Sequence, residues 1–169
     1  MLVLSRRVLW VLLVLNWVFV AGFAAVMIFL LSPIGHDKAV TAITDTFTAD
    51  QAAALVGATI WLMVIAIAAG FAVHILFRRM LALIDSAIAG DPFTIANAER
   101  LRVVGWALLA IQLLDLVFAL LSLNVKAVTG EDLGWSPSVG GWIAVLMVFV
   151  LARVFEQGSR MRDELAMTV

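Results

Sequence analysis

Four separate stretches of this sequence are long and apolar enough to cross a bilayer, and that pattern restricts the fold more than any other feature. A hydrocarbon core about 30 Å thick takes roughly 20 mostly apolar residues in helix, at about 1.5 Å per residue and with every backbone group bonded internally. Residues 8–31 form the first stretch, in which Asn16 is the only strongly polar side chain; Arg6 and Arg7 precede it, and Ser32, Pro33, Ile34 and Gly35 end it. The second covers 52–77 and stops at Arg78 and Arg79, and the third, 103–123, contains Gln112 and Asp115. The fourth, 139–155, follows Ser136 and Pro137, a serine cap with proline in the first turn. Composition agrees, since 64% of the residues are hydrophobic, against about 45–50% in soluble domains.

The first stretch has the basic flank of a secretory signal, but its apolar run outlasts the roughly 7–15 residues of a signal core. It is expected to be an uncleaved anchor. The fold expected is therefore all-α, a single membrane domain over 1–169 built as a four-transmembrane-helix bundle. A cytoplasmic helical hairpin extension (78–102) and a short C-terminal amphipathic helix in the tail (156–169) complete it.

Orientation follows from the eleven Lys and Arg residues. Arg6, Arg7, Arg78, Arg79, Arg100, Arg102, Arg153, Arg160 and Arg162 fall on one side of the spans, and Lys38 and Lys126 on the other. The positive-inside rule puts the nine in the cytoplasm, with both termini. Acidic residues are nearly balanced, as expected if positive charge sets topology. Trp10 and Trp106 are expected near the inner interface and Trp135 and Trp142 near the outer one, while Trp17 and Trp61 lie deeper, as packing residues. The location implied is a bacterial cytoplasmic membrane.

Several function classes lose support here. Only 14% of the residues are charged, the net charge is -1, and no basic stretch is long enough to track a phosphate backbone, so direct nucleic-acid binding is not expected. The chain has no cysteine, hence no disulfide or thiolate chemistry. HExxH, GxSxG and paired Ser/Lys or Asp motifs are missing, so neither an enzyme nor a cofactor is expected.

The outer loops are plain. In 32–51, His36 and Asp37 make an incomplete metal site, and Thr48 with Gln51 fits a capping box opening the second helix. Glu131 and Asp132 read as a solvated turn in 124–138. The cytoplasmic loop carries more pattern. Met80, Leu81, Leu83, Ile84, Ala87 and Ile88 recur at helical spacing, so the second helix is expected to continue past the membrane. Gly90, Asp91 and Pro92 then break it, Phe93 follows as an apolar plug, and Asn97 is placed to cap the helix bearing Glu99, Arg100 and Arg102. From Arg153 onward charged and apolar residues alternate as in an amphipathic helix.

Ionisable groups in the hydrocarbon region are costly, so Asp115 needs a partner, a proton or a water-filled cavity. Counted from the cytoplasmic ends, Asp115 lies roughly 18 Å deep, Gln112 roughly 14 Å and Asn16 roughly 12 Å. Asn16, Gln112 and Asp115 are thus candidates for one intramembrane polar cluster. Its structural role would be interhelical hydrogen bonding that fixes packing or a dimer; its functional role would be lining a solute path. His74, near the inner end of the second span, reads as an interfacial histidine.

Two stretches carry a resemblance. One is Gly90, Asp91, Pro92 and Phe93 with the run from Asn97 to Arg102 and Gly105, Trp106. The other is the run from Leu151 to Gly158 with Arg162, Asp163, Glu164, Leu165 and the terminal Thr168, Val169. Through them the sequence resembles a bacterial family of short four-span membrane proteins catalogued as a domain of unknown function, often encoded beside a small Cro/CI-like helix-turn-helix regulator. The resemblance implies an inner-membrane protein that holds or modulates such a regulator, and implies no substrate, cofactor or catalytic residue. The leading expectation is a regulatory or sensory protein whose cytoplasmic face, shaped by Gly90, Asp91, Pro92, Phe93, Asn97 and Arg100, docks a protein partner. The rival is a small oligomeric transporter or channel component using Asp115 and Gln112, which as a homo-oligomer would supply enough helices for a path.

Overall fold

A computed structural model describes residues 2–90 and 92–166, with side chains over 3–90 and 92–162. Asp91 lies outside the described residues, as does the end of the C-terminal segment. The described residues form five α-helices: α1 (Leu2–Leu31), α2 (Pro33–Thr41), α3 (Ala49–Ile88), α4 (Ile95–Thr129) and α5 (Val139–Ala166). Four of them, all except α2, are long and apolar enough to cross a membrane. Their sides expose Leu4, Val11, Ile28, Leu120, Leu146, Met147 and Val150, each more than 60% accessible. A water-soluble monomer does not tolerate continuous apolar surface on that scale. The chain is a multi-pass membrane protein.

Length decides how far the helices run. At about 1.5 Å per residue the 40 residues of α3 extend about 60 Å and the 35 of α4 about 53 Å, well beyond a hydrocarbon core of about 30 Å. The expected extension of the second helix is therefore present and unbroken to Ile88. The C-terminal amphipathic segment is likewise helical, as a direct continuation of the fourth span within α5.

The chain divides into two compact units. The first comprises Met1–Asn16, Phe71–Gln112 and Ser138–Val169, and the second Trp17–Gly70 and Leu113–Pro137. All nine arginines belong to the first unit and both lysines to the second. In the first unit Leu9 and Leu13 of α1 bury against Leu81 of α3, flanked by Phe77 and Ile84. The i, i+4 spacing on α1 and the i, i+4, i+7 spacing on α3 put these residues on facing stripes. Arg6 pairs with Asp85 at 3.2 Å, both half-exposed. Along α4 and α5, Trp106 meets Phe149 edge to face at 5.5 Å. A Cβ at Gly105 would come within 3.0 Å of the Phe149 ring, so glycine there allows the close approach.

In the second unit, Thr48 and Gln51 form the expected capping box: the Gln51 N–H donates to Thr48 Oγ1 (3.3 Å) and the Thr48 N–H to Gln51 Oε1 (3.2 Å). Gln51 Nε2 also donates to the Val128 carbonyl at 3.1 Å, tying the start of α3 to the end of α4. Two expectations about loops need correction. Ser32 and Pro33 end α1 as expected but also begin α2, with Ser32 Oγ accepting from the Gly35 N–H at 3.1 Å and donating to the Phe29 carbonyl at 2.7 Å. The connection expected to be a plain outer loop thus contains a nine-residue helix holding His36 and Asp37. Conversely, Ser136 and Pro137 do not open the fourth helix, which begins at Val139. Trp61 is not a packing residue within the chain, being 63% exposed.

Candidate functional site

The most elaborated side-chain arrangement is the hairpin between α3 and α4. Gly90 turns the chain with φ +86°, a left-handed conformation that favours glycine. Thr94, rather than Asn97, caps α4: its Oγ1 accepts from the Asn97 N–H at 3.2 Å. Asn97 is instead an internal brace, 1% exposed. Its Nδ2 donates to Ser86 Oγ and to the Pro92 carbonyl, both at 2.8 Å, and its Oδ1 accepts from Arg100 Nη1 at 2.7 Å. The same Arg100 nitrogen reaches the Ala82 carbonyl at 3.1 Å. One carboxamide therefore joins the end of α3, the turn and the first turns of α4, with all its principal bonding capacity used.

This brace fixes what lies above it. Phe93, 48% exposed, is held 5.0 Å from the half-buried Phe155 ring of α5. A Cβ at Gly158 would lie 3.7 Å from the Phe93 ring, an ordinary contact. Beside the rings, Glu156 of α5 receives Arg102 at 3.1 Å and Arg160 at 2.8 Å. Of the residues singled out in the sequence, Pro92, Asn97 and Arg100 are brought into one network, Gly90 forms the turn and Phe93 presents a surface. Ser86, Thr94 and Phe155 were missed. The Thr94 to Asn97 spacing was the available signal for the cap, whereas nothing local marks Ser86 or Phe155 as partners.

The intramembrane polar residues have separate partners. In the first unit, buried Gln112 donates through Nε2 to the Ser138 carbonyl at 3.3 Å, just ahead of α5. Gly141 lies against this carboxamide so closely that a Cβ there would overlap it. In the second unit, Asp115 accepts from the Trp135 indole N–H at 3.3 Å. Trp135 is thus drawn to a residue about 12 Å inside the end of the apolar run at Leu123, counting 1.5 Å per residue. Irregular backbone at membrane depth is tolerated only where protein groups satisfy it, and the Ser138 carbonyl meets that condition. Asn16, half-buried on α1, makes neither of these two bonds.

In the connection before α5, Asp132 accepts from Lys126 at 2.7 Å and from the Gly134 N–H at 2.8 Å. The Lys126 hydrogen bond first, then the Gly134 amide and the lysine charge, hold this exposed carboxyl below its ordinary value. Among the described residues no group of three or more His, Cys, Asp or Glu side chains is placed to hold a metal ion.

No curated protein and no solved structure matches the sequence. One family model, described as a protein of unknown function (DUF2975), matches residues 39–169, which include the hairpin, its brace and the whole of α5. The match covers most of the chain, and the protein belongs to this family of unknown function, DUF2975.

Proposed function

We propose that the protein is a regulatory or sensory membrane partner of a cytoplasmic protein, and that the braced hairpin with α5 forms its docking face. One observation carries the reading. Phe93, half-open on a turn whose internal polar groups are already bonded to one another, pairs with Phe155 of α5. Rigid aromatic surface beside arginines is the composition of binding hot spots. The nine-to-two division of basic residues supports a cytoplasmic location for this face under the positive-inside rule, in a bacterial inner membrane. A small helix-turn-helix regulator is the partner that the family resemblance suggests.

The alternative, an oligomeric transporter working through Asp115 and Gln112, draws less support because both side chains are bonded within the chain, to Trp135 and Ser138. Photocrosslinkers at Phe93 and at Arg160, followed by identification of what is captured in native membranes, test the proposal. A cytoplasmic protein released by Phe93→Ala supports it. Capture of lipid and self only, with flux that Asp115→Asn abolishes, favours transport instead.

A further inference from the structure

Arg78 and Arg79 stand directly after the apolar run of α3. Among the described residues neither has a hydrogen-bond or ion-pair partner. Four other arginines of the same unit are engaged, Arg6 with Asp85, Arg102 and Arg160 with Glu156, and Arg100 inside the hairpin, whereas Arg7 and Arg153, like Arg78 and Arg79, have no such partner among the described residues. The Arg78 and Arg79 guanidinium groups line an open pocket of about 460 Å³ together with His74, Ile75 and Ala82. His74, Arg78 and Ala82 follow one another at i+4 along one face of α3, with Ile75 and Arg79 on the adjoining row. Among the described residues that line it, none is acidic. One and two turns further along α3, Ile75 (45%) and Phe71 (50%) leave apolar surface exposed below the cations.

This arrangement has the two-part character of a lipid. A guanidinium fork matches the oxygens of a phosphate and outbinds a point charge there. The pocket begins where the hydrocarbon run ends, the level at which lipid phosphates lie, and the apolar bed beneath it suits an acyl chain. Basic residues at such a position attract anionic lipid specifically. We propose that His74, Ile75, Arg78, Arg79 and Ala82 form a binding site for the phosphate headgroup of an anionic phospholipid.

The test uses the full-length protein in nanodiscs of phosphatidylcholine containing a minority of phosphatidylglycerol. Native mass spectrometry then counts the lipids that stay bound. The wild type retains phosphatidylglycerol in preference to phosphatidylcholine. The preference falls about fivefold for each arginine removed, roughly thirtyfold in the R78Q/R79Q double variant. R160Q, altered on another helix, keeps it. R78K/R79K keeps part of it, since charge remains while the fork is lost. Equal retention of both lipids by the wild type, or an unchanged preference in R78Q/R79Q, would overturn the proposal and leave the arginines as interfacial anchors. The wild-type comparison decides even if the double variant does not fold. Millimolar inorganic phosphate leaves the lipid in place; displacement by it would overturn the lipid assignment in favour of a soluble phosphate ion.

Discussion

Replacing Asn97 with alanine removes two donors and one acceptor from a position that is 1% exposed. The Pro92 carbonyl and the Ser86 hydroxyl each lose the bond from Nδ2, and the Arg100 guanidinium loses one of its two. A loss of about 1–3 kcal/mol of stability is expected from losing three part-buried hydrogen bonds at once, each worth about 0.5–1.5 kcal/mol. Unfolding in mixed detergent micelles measures it, and an unchanged midpoint would show that water replaces the carboxamide without penalty. Gly141→Ala is expected to cost a similar amount, about 1–3 kcal/mol, because the added methyl overlaps the Gln112 side chain. Here the partner identifies the cause: Gln112→Ala in the same background relieves the overlap, so the double variant is more stable than the sum of the single losses. Additive losses would mean that the glycine is needed for another reason.

At the level of elements, helix ends divide into those the sequence spelled out and those it hid. Thr48 and Gln51 were legible because a capping box needs only four residues and both bonds are local. Thr48→Ala is expected to cost about 1 kcal/mol and to speed amide exchange in the first turn of α3, while leaving α4 unaffected. Ser32, Pro33 and Ser136, Pro137 are the same dipeptide with different outcomes, since α2 starts at the first and α5 starts two residues after the second. The difference is tertiary: the Ser138 carbonyl is held by Gln112, far back along α4, and no local pattern encodes that bond. The brace was hidden for the same reason, because Asn97 lies eleven residues from Ser86 and its role depends on the turn between them. The apolar face of the α3 extension, by contrast, was readable from spacing alone, and Leu81 and Ile84 do pack against α1.

The connection ahead of α5 carries its own pH signature. The lowered value of Asp132 means that its contribution to stability is complete above the unfolded carboxyl value of 3.8 and is lost as pH falls through the lower folded value. A carboxyl-carbon NMR titration of Asp132 is expected to show a midpoint below 3.8, and Lys126→Ala to move it upward. A midpoint that ignores the lysine would remove the ion pair from solution.

On the scale of the whole molecule, the spans were the most legible feature and charge the next. Bilayer thickness sets a length that four stretches meet, and the compact units then gather all nine arginines in one and both lysines in the other. That division, read with the positive-inside rule, is what supports the proposed cytoplasmic side for the hairpin and α5, on which the docking proposal depends. The absence of cysteine makes the topology directly testable, since any single introduced thiol is unique. Cysteines placed at the exposed positions Ala89, Gln157, Asp45 and Glu131 can be challenged with an impermeant maleimide in intact cells and in inverted membrane vesicles. The account predicts labelling of Asp45→Cys and Glu131→Cys only in intact cells, and of Ala89→Cys and Gln157→Cys only in inverted vesicles. Labelling of the hairpin position from outside, or of 89 and 131 from the same side, would contradict it.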